Sequence, residues 1–269
     1  IYSSKNHNYK NSDYLIVNDG WIKNIRFEDF KDINSELFIN LNERSRNYLD
    51  FFDENIRYKL FPIGLIPYVV IIKNNNEIKD LASKSWNFLL SKDLKGKIIL
   101  PNSPRILLSI AERIDTQKAL EKIIKQENIY DDRNAFDWLI NSKAIVAVIP
   151  YSLCQKYLKI DSRLSMVFPD NGVPLIWQFI ISKSYSNQEP LIEWINSLKN
   201  VYAAEKLREV GWYLPYKDQY IKDFYIKKKY ENKNISPSDE CWNNSWSLPP
   251  LYKEEKLKEE SLWKKLLTP

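Results

Sequence analysis

The segment Ser85–Pro101 constrains the fold more than any other stretch of this 269-residue chain. Its sequence, SWNFLLSKDLKGKIILP, predicts a short helix capped by its first serine, a polar turn at Gly96, and an apolar strand ending at the proline. The next four residues, Asn102–Arg105, include a proline suited to the first turn of a following helix. A strand that ends just before a helix presents free backbone N–H groups and small polar side chains. This layout can hold a small ligand without any catalytic residue, so the first expectation is a binding protein.

Predicted strands alternate with predicted helices along most of the chain. This alternation is typical of α/β layers with parallel sheets, and the fully apolar run Ala144–Ile149 predicts a central parallel strand. In such sheets, ligands bind outside the carboxyl ends of the strands. Three predicted strand ends carry polar or small residues, as a cleft requires: Asn18-Asp19-Gly20, Pro101-Asn102-Ser103 and Pro150-Tyr151-Ser152.

Composition and charge narrow the classes of partner. Apolar residues make up 44% of the chain and charged residues 28%, an ordinary globular balance. The net charge of +5 is spread along the chain, whereas a nucleic-acid binder concentrates its basic residues in a patch. The one dense basic run, Lys227–Lys229, is interpreted as a solvated helix face. We therefore expect no nucleic-acid partner.

The residues that usually carry catalysis or bind metals are scarce. The single histidine, His7, lies in a polar N-terminal stretch without triad or metal partners nearby. Cys154 and Cys241 lack zinc-site spacing, and they either form one disulfide or are two free buried thiols. The carboxylate pair Asp131-Asp132 falls at a predicted helix start, where acids suit the helix dipole. We expect no enzyme activity, no cofactor and no metal site.

Six segments stand out by their order along the chain: Asp13–Val17, Pro62–Lys73, Ser85–Pro101, Ala144–Tyr151, Phe168–Trp177 (FPDNGVPLIW) and Glu205–Pro215 (EKLREVGWYLP). In this order they resemble landmarks of the family 1 extracellular solute-binding proteins, closest to the spermidine/putrescine-binding group. The resemblance covers about residues 13–216.

The resemblance implies a type II periplasmic binding protein-like α/β fold with two lobes and an interlobe cleft. Lobe one is expected at residues 1–72 and 178–216, lobe two at 73–177, and a C-terminal extension, 217–269, is expected to pack on lobe two. The family begins with a further strand–helix unit that we expect to be missing here.

The implied role is the substrate-binding component of an ABC importer that closes about a hinge on its solute. By the same resemblance, the protein is expected to be exported to the periplasm or cell envelope. We expect it to act as a monomer and to deliver its solute to the importer's membrane subunits.

The resemblance implies a polyamine-like solute, but the residues at the matching positions are not acidic. The family's carboxylates fall near Gln178, at Asn102 or Ser103, and at Ile106, all neutral. A dication buried without counter-charge carries a large desolvation cost. Arg105 would attract a carboxylate or phosphate instead. Two alternatives therefore stay open: a receptor for a small anion or amino-acid-like solute, and a degenerate binding-protein fold used as a protein-interaction module.

The candidate ligand residues lie at the predicted strand ends and at the lobe crossing. Each has a competing structural explanation: the aromatic rings can be core packing, Ser103 can cap a helix, and Gln178 can make hinge hydrogen bonds. The candidates are Asp19, Trp21, Asn102, Ser103, Arg105, Tyr151, Trp177, Gln178 and Trp212.

Overall fold

The computed structural model describes residues 12–126, 128–217, 236–251 and 253–267. The expectations for His7 and for Lys227–Lys229 lie outside these described residues.

The elements alternate between strands and helices through most of the described chain. The strands are β1 (Tyr14–Asn18), β2 (Phe30–Lys31), β3 (Phe61–Lys73), β4 (Ile98–Leu100), β5 (Ile129–Tyr130), β6 (Val146–Pro150), β7 (Leu164–Val167), β8 (Pro174–Lys183) and β9 (Trp246–Ser247). The α-helices are α1 (Glu43–Leu49), α2 (Glu54–Arg57), α3 (Asn76–Lys84), α4 (Pro104–Ala111), α5 (Ala119–Ile124), α6 (Ala135–Asn141), α7 (Tyr151–Ile160), α8 (Glu189–Ser197), α9 (Val201–Glu209), α10 (Asp239–Asn244) and α11 (Lys253–Leu267). Short 3₁₀ helices cover Asp19–Asn24, Phe27–Asp29, Ser35–Asn40, Trp86–Leu90 and Lys92–Leu94.

The long strand β3 joins two groups of strands. Among the described residues the strand order is β1-β8-β3-β6-β4-β5, with β2 and β9 also on β8 and β7 also on β3. The first part of β3, Phe61–Pro67, pairs with β8, and its second part, from Tyr68, pairs with β6 and β7. The partner strand of β3 therefore changes between Pro67 and Tyr68.

Parallel and antiparallel pairs both occur. The strands β4, β5 and β6 are parallel to one another where they pair, as the apolar run at Ala144–Ile149 predicts. The pairs that involve β3, and those of β8 with β1 and β2, are antiparallel. The sheet is therefore mixed rather than purely parallel.

The proline and glycine of Pro62-Ile63-Gly64 predict a bend between two strands, but one strand of thirteen residues runs through this point. A register shift between Pro62 and Gly64 absorbs the irregularity within the strand. Gly64 is needed there because a Cβ would come within 2.7 Å of the Trp212 ring. Helix α2 ends at Arg57, and strand β3 begins at Phe61.

The segment Ser85–Pro101 folds as its sequence predicts. The Ser85 hydroxyl accepts from the Asn87 N–H and starts the short helix. Trp86 is fully buried and donates its indole N–H to the carbonyl of Gly172 at 2.8 Å. The strand β4 is buried along its whole length.

The two cysteines are free, and both are buried. Of the two alternatives that the sequence left open, the structure has the pair of buried thiols.

The described part of the C-terminal extension lies against helices and strands from several parts of the chain. Helix α11 packs against α4 and α5, and the buried Trp263 meets Tyr130 edge-on at 5.1 Å between ring centroids. Strand β9 adds to β8 in parallel orientation. The described helices include none with the length and apolar character needed to cross a bilayer.

Candidate functional site

An ion pair between Asp19 and Arg105 marks the candidate site. Asp19 follows β1 and Arg105 stands in the first turn of α4, just after β4, so both lie at carboxyl ends of strands. The Arg105 Nη1 donates to Asp19 Oδ1 at 3.1 Å, with side chains only 12% and 1% exposed. Because β1 and β4 lie on opposite sides of β3 in the strand order, this contact ties the two strand groups together.

Asp19 is almost fully enclosed by hydrogen-bond donors. Its Oδ2 accepts from the backbone N–H of Trp177 at 3.3 Å and lies 3.2 Å from the hydroxyl of Tyr48. Burial raises the pKa of Asp19, while the Arg105 guanidinium and these two groups oppose the rise. Burial is the largest single effect on Arg105 and lowers its pKa, but the Asp19 carboxylate and the Tyr48 hydroxyl together outweigh it, so the pKa of Arg105 is raised.

An aromatic stack closes one side of this ion pair. The rings of Tyr48 and Trp177, both fully buried, lie 4.8 Å apart and 7° from parallel. Phe179 extends the stack at 6.2 Å from Trp177. Such offset stacks are worth about 0.5–1.5 kcal/mol beyond their burial. The stack therefore stabilises the position of the Tyr48 hydroxyl beside Asp19.

The C-terminal stretch Ser245–Pro250, called here the tail segment, fills the space next to the ion pair. Arg105 Nη2 donates to the carbonyls of Leu248 at 2.6 Å and Pro249 at 2.8 Å. The Tyr48 hydroxyl donates to the Leu248 carbonyl at 2.8 Å. Trp177 donates its indole N–H to Ser247 Oγ at 2.8 Å. Three of the side chains nearest the expected cleft are thus bonded to the tail segment.

Tyr48 has one hydroxyl proton and two acceptors within reach, Leu248 O at 2.8 Å and Asp19 Oδ2 at 3.2 Å. A phenol can donate to only one acceptor at a time. The hydrogen bond that holds the tail segment and the one that stabilises ionised Asp19 therefore compete for the Tyr48 hydroxyl proton.

The tail segment is anchored at its N-terminal end as well. Arg44 donates to the carbonyls of Trp242 at 2.6 Å and Ser245 at 2.7 Å and lies over the Trp242 ring. The Val173 N–H donates to Ser245 Oγ at 3.1 Å. Residues Trp246 and Ser247 then run beside Pro174 and Leu175 as strand β9. These contacts fix the direction in which the segment enters the site.

Three other predicted ligand residues lie on loops near the ion pair but outside it. Trp21 follows Asp19 in the same 3₁₀ helix and is 39% exposed. Asn102 is exposed, and its N–H donates to Asp132 Oδ1 at 3.4 Å. Ser103 precedes α4 without a side-chain cap hydrogen bond, so the capping explanation for this serine is wrong.

The remaining predicted ligand residues pack elsewhere. Tyr151, fully buried at the start of α7, contacts the rings of Phe168 and Tyr213. Gln178 is half-buried on β8, in register with Asn18 and Gly64. Trp212 covers Gly64. The structure thus brings together Asp19, Arg105 and Trp177, and the assignment of all nine as solute contacts stays a prediction.

Sequence reasoning missed Tyr48 and the tail segment. Tyr48 lies in an apolar helical pattern that predicts core, and only its hydroxyl distinguishes it. The tail segment acts chiefly through backbone carbonyls, which leave no side-chain pattern in the sequence. The pair of prolines at 249–250 was its one visible signal, since proline blocks regular structure.

Two open surface grooves lie near the C-terminal part of α10 and the start of the tail segment. One, of about 360 Å³, is lined by Glu43, Arg44, Asn47, Tyr48, Phe51, Ser245 and Ser247. The other, of about 690 Å³, is lined by Glu112–Gln117, Asn171 and Asn244. Neither groove is lined by a predicted ligand residue. Across the described ranges, no cluster of three or more His, Cys, Asp or Glu side chains is placed to hold a metal ion.

Comparison with known proteins gives matches only among solved structures. No family model matches the sequence, and no curated protein matches it. The spermidine/putrescine ABC transporter substrate-binding protein PotD from Streptococcus pneumoniae superposes with a TM-score of 0.73 at 16% identity, over 94% of this chain and 83% of that one.

The chain has the type II periplasmic binding protein fold. The Tp0655 (TpPotD) lipoprotein of Treponema pallidum superposes with a TM-score of 0.66 at 11% identity, over 94% of this chain and 83% of that one. The ferric binding protein from Campylobacter jejuni gives 0.57 at 16% identity, over 88% and 77%. These superpositions establish the fold. The assignment of the Asp19–Arg105 pair to an interlobe cleft stays a prediction.

Proposed function

We propose that this protein is the solute-binding component of an ABC importer and takes a small solute between its two lobes. The observation that carries the proposal is the buried ion pair between Asp19, after β1, and Arg105, in α4, because it joins the two strand groups at the expected cleft. In this role the protein acts outside the cytoplasmic membrane and hands its solute to the importer's membrane subunits. The lobe bounds 1–72 with 178–216, 73–177 and the extension 217–269 are part of the proposal.

The charges at the site favour a solute that carries hydrogen-bond acceptors, such as a carboxylate or an amino acid, over a polyamine. Asp19, the carboxylate of the ion pair, is already engaged by Arg105 and the Trp177 amide, and the Tyr48 hydroxyl lies 3.2 Å from it. Arg105 directs its second terminal nitrogen toward acceptors, at present two backbone carbonyls. Guanidinium groups bind carboxylates in a bidentate manner, so an acidic solute suits the site.

A thermal-shift panel tests this proposal. The panel holds amino acids, dicarboxylates, inorganic phosphate, spermidine, putrescine and ferric ion. At about 100 times its dissociation constant a solute adds about 2.7 kcal/mol, or roughly 5–10 °C for a domain of this size. We expect carboxylate-bearing solutes to raise the melting temperature and polyamines not to.

The matched pair of variants is Arg105→Lys and Arg163→Lys. Arg105→Lys keeps the charge beside Asp19 but loses the planar fork, so the solute-dependent shift should fall by more than half. Arg163 is an exposed arginine paired with Asp161, and its replacement should leave the shift unchanged. A shift from spermidine that survives in Arg105→Lys would contradict the proposed solute class.

A second candidate function is a protein-interaction module on a solute-binding fold. The observation that favours it is that neither surface groove is lined by a predicted ligand residue. A complete lack of response to the panel, in the wild type and in a variant with a displaced tail segment, would favour this candidate.

A further inference from the structure

We infer that the cleft is a binding site for an extended peptide and that the tail segment, Ser245–Pro250, is its tethered resident occupant. The inference rests on the proposed solute cleft, because it assigns an occupant to the same residues. It deepens that proposal by naming the chemistry of the ligand, a pair of successive backbone carbonyls.

The donors of the cleft are matched to a peptide backbone. Arg105 Nη2 bonds two successive carbonyls, those of Leu248 and Pro249, and the Tyr48 hydroxyl bonds the first of them. Hydrogen bonds from a charged donor are roughly twice as strong as neutral ones. Any peptide with two such carbonyls, or a carboxylate with its two oxygens, meets the same donors.

The rest of the tail segment binds as added strands do. Trp246 and Ser247 pair in parallel with Pro174 and Leu175, and the Trp246 N–H donates to the Val173 carbonyl at 3.1 Å. Main-chain pairing with a sheet edge is a recurring mode of peptide recognition, in which alternate side chains enter pockets. The Leu248 side chain, 3% exposed, occupies such a pocket.

A tethered occupant explains why the two sides of the cleft meet without a separate ligand. In a two-state hinge, closure is favoured only by contacts that bridge both sides. The tail segment supplies these contacts, since it bonds Tyr48 of α1, Trp177 of β8 and Arg105 of α4. The protein is thereby held closed by its own chain, and an external ligand has to displace the segment.

The test uses the full chain with Leu248→Asp, which puts a carboxylate at a buried apolar position of the tail segment. Leu257→Asp is the matched control, because it makes the same change at a leucine of α11 that is 55% exposed. The probe is residues 246–250 as a free peptide, acetyl-Trp-Ser-Leu-Pro-Pro-amide, with a fluorescein label for anisotropy. A scrambled peptide of the same composition controls for non-specific binding.

We expect Leu248→Asp to bind the peptide saturably, at least tenfold more tightly than the wild type or Leu257→Asp. In the wild type and in Leu257→Asp, the tethered tail segment competes with the peptide at an effective concentration in the millimolar range. A folded Leu248→Asp that fails to bind, or equal binding by all three proteins, overturns the inference.

Hydrogen exchange of the wild type covers the case in which Leu248→Asp does not fold. We expect the Trp246 amide to exchange through a local opening with little denaturant dependence, well before the amides of β3. Exchange of both only through global unfolding overturns the inference, since the segment would then be part of the core.

The solute panel run on Leu248→Asp separates the two proposals. Peptide binding without any solute response supports the inference and counts against the importer role. A solute response without peptide binding supports the importer role and counts against the inference.

Discussion

Burial and the Arg105 guanidinium shift the pKa of Asp19 in opposite directions. Burial is the larger effect and raises its pKa. Its neighbours are Arg105, the Trp177 amide and the Tyr48 hydroxyl. The Tyr48 hydroxyl donates its hydrogen bond either to Asp19 or to the Leu248 carbonyl. The protonation of this one residue is therefore linked to both stability and the seating of the tail segment.

Comparison of the wild type with Asp19→Asn measures this link. Because the folded pKa lies above the unfolded one, the folded state holds a proton that the unfolded state has lost. The contribution of this group is fully present below the unfolded pKa and is lost as the pH rises through the folded pKa. We expect the free energy of unfolding of the wild type, relative to Asp19→Asn, to increase as the pH falls from 7 to 4, measured by urea unfolding.

Asp161→Asn is the control with the opposite sign. Hydrogen bonds from Arg163 lower the pKa of Asp161 to about 2. Its contribution to stability is present above the unfolded pKa and is lost on acidification. The free energy of unfolding of the wild type, relative to Asp161→Asn, should therefore not increase at low pH. A loss of relative stability of the wild type against Asp19→Asn on acidification would contradict the account of Asp19.

At the residue scale, the sequence predicts the two charged members of the site but not their neighbours. Asp19 and Arg105 follow strands β1 and β4 among polar residues, and this position can be inferred from the local sequence pattern. The role of Tyr48 in the site could not be inferred. A tyrosine on an apolar helix face has the same sequence pattern whether or not its hydroxyl makes a hydrogen bond. Tyr151 follows a strand end and Trp212 follows the helix-ending Gly211, and at both places a ligand contact and a packing aromatic look alike in sequence. Their assignment as ligand contacts stays a prediction.

At the scale of elements, the turn before β8 controls the docking of α10 and the tail segment. Gly172 has φ +91°, and a Cβ there would lie 2.2 Å from the carbonyl oxygen of Asn244, at the end of α10. The same turn gives its carbonyl to Trp86 and precedes Val173, which bonds Ser245. One turn thus couples the segment Ser85–Pro101 to the tail segment.

Gly172→Ala should destabilise the protein by about 2 kcal/mol or more, since a left-handed backbone costs a side-chain-bearing residue ~1–3 kcal/mol before any clash. Urea unfolding gives the free energy, and hydrogen exchange at Trp246 should show lost protection. Gly20→Ala is the matched control, because a Cβ there meets only ordinary contacts at 3.4 and 3.5 Å. It should change stability by less than about 0.5 kcal/mol. Equal effects of the two substitutions would contradict the role of the turn.

Elements with strong local signals were predictable, and those held by distant contacts were not. The helix–turn–strand at Ser85–Pro101 has its cap, glycine turn and apolar strand in consecutive residues, and it forms as predicted. Strand β3 instead continues through Pro62 and Gly64, where it packs against Trp212, a residue distant in sequence whose ring fills the space over Gly64. Strand β9 depends on its partner β8, so nothing within Trp246–Ser247 predicts it.

At the scale of the whole molecule, a segment of the chain itself bridges the two groups of strands, and the proposed hinge lies between these groups. The strand β3 passes from one group of strands to the other at Pro67–Tyr68. The Asp19–Arg105 pair and the tail segment bridge the same two groups. Removing the bridge should let the two groups of strands move relative to each other about the proposed hinge.

Small-angle X-ray scattering of the full chain tests this central claim most directly. The radius of gyration should be larger for Leu248→Asp than for the wild type and Leu257→Asp. It should return to the wild-type value when the peptide of residues 246–250 is added at saturation. Identical scattering from the wild type, both variants and the peptide complex would contradict a cleft held closed by the tail segment.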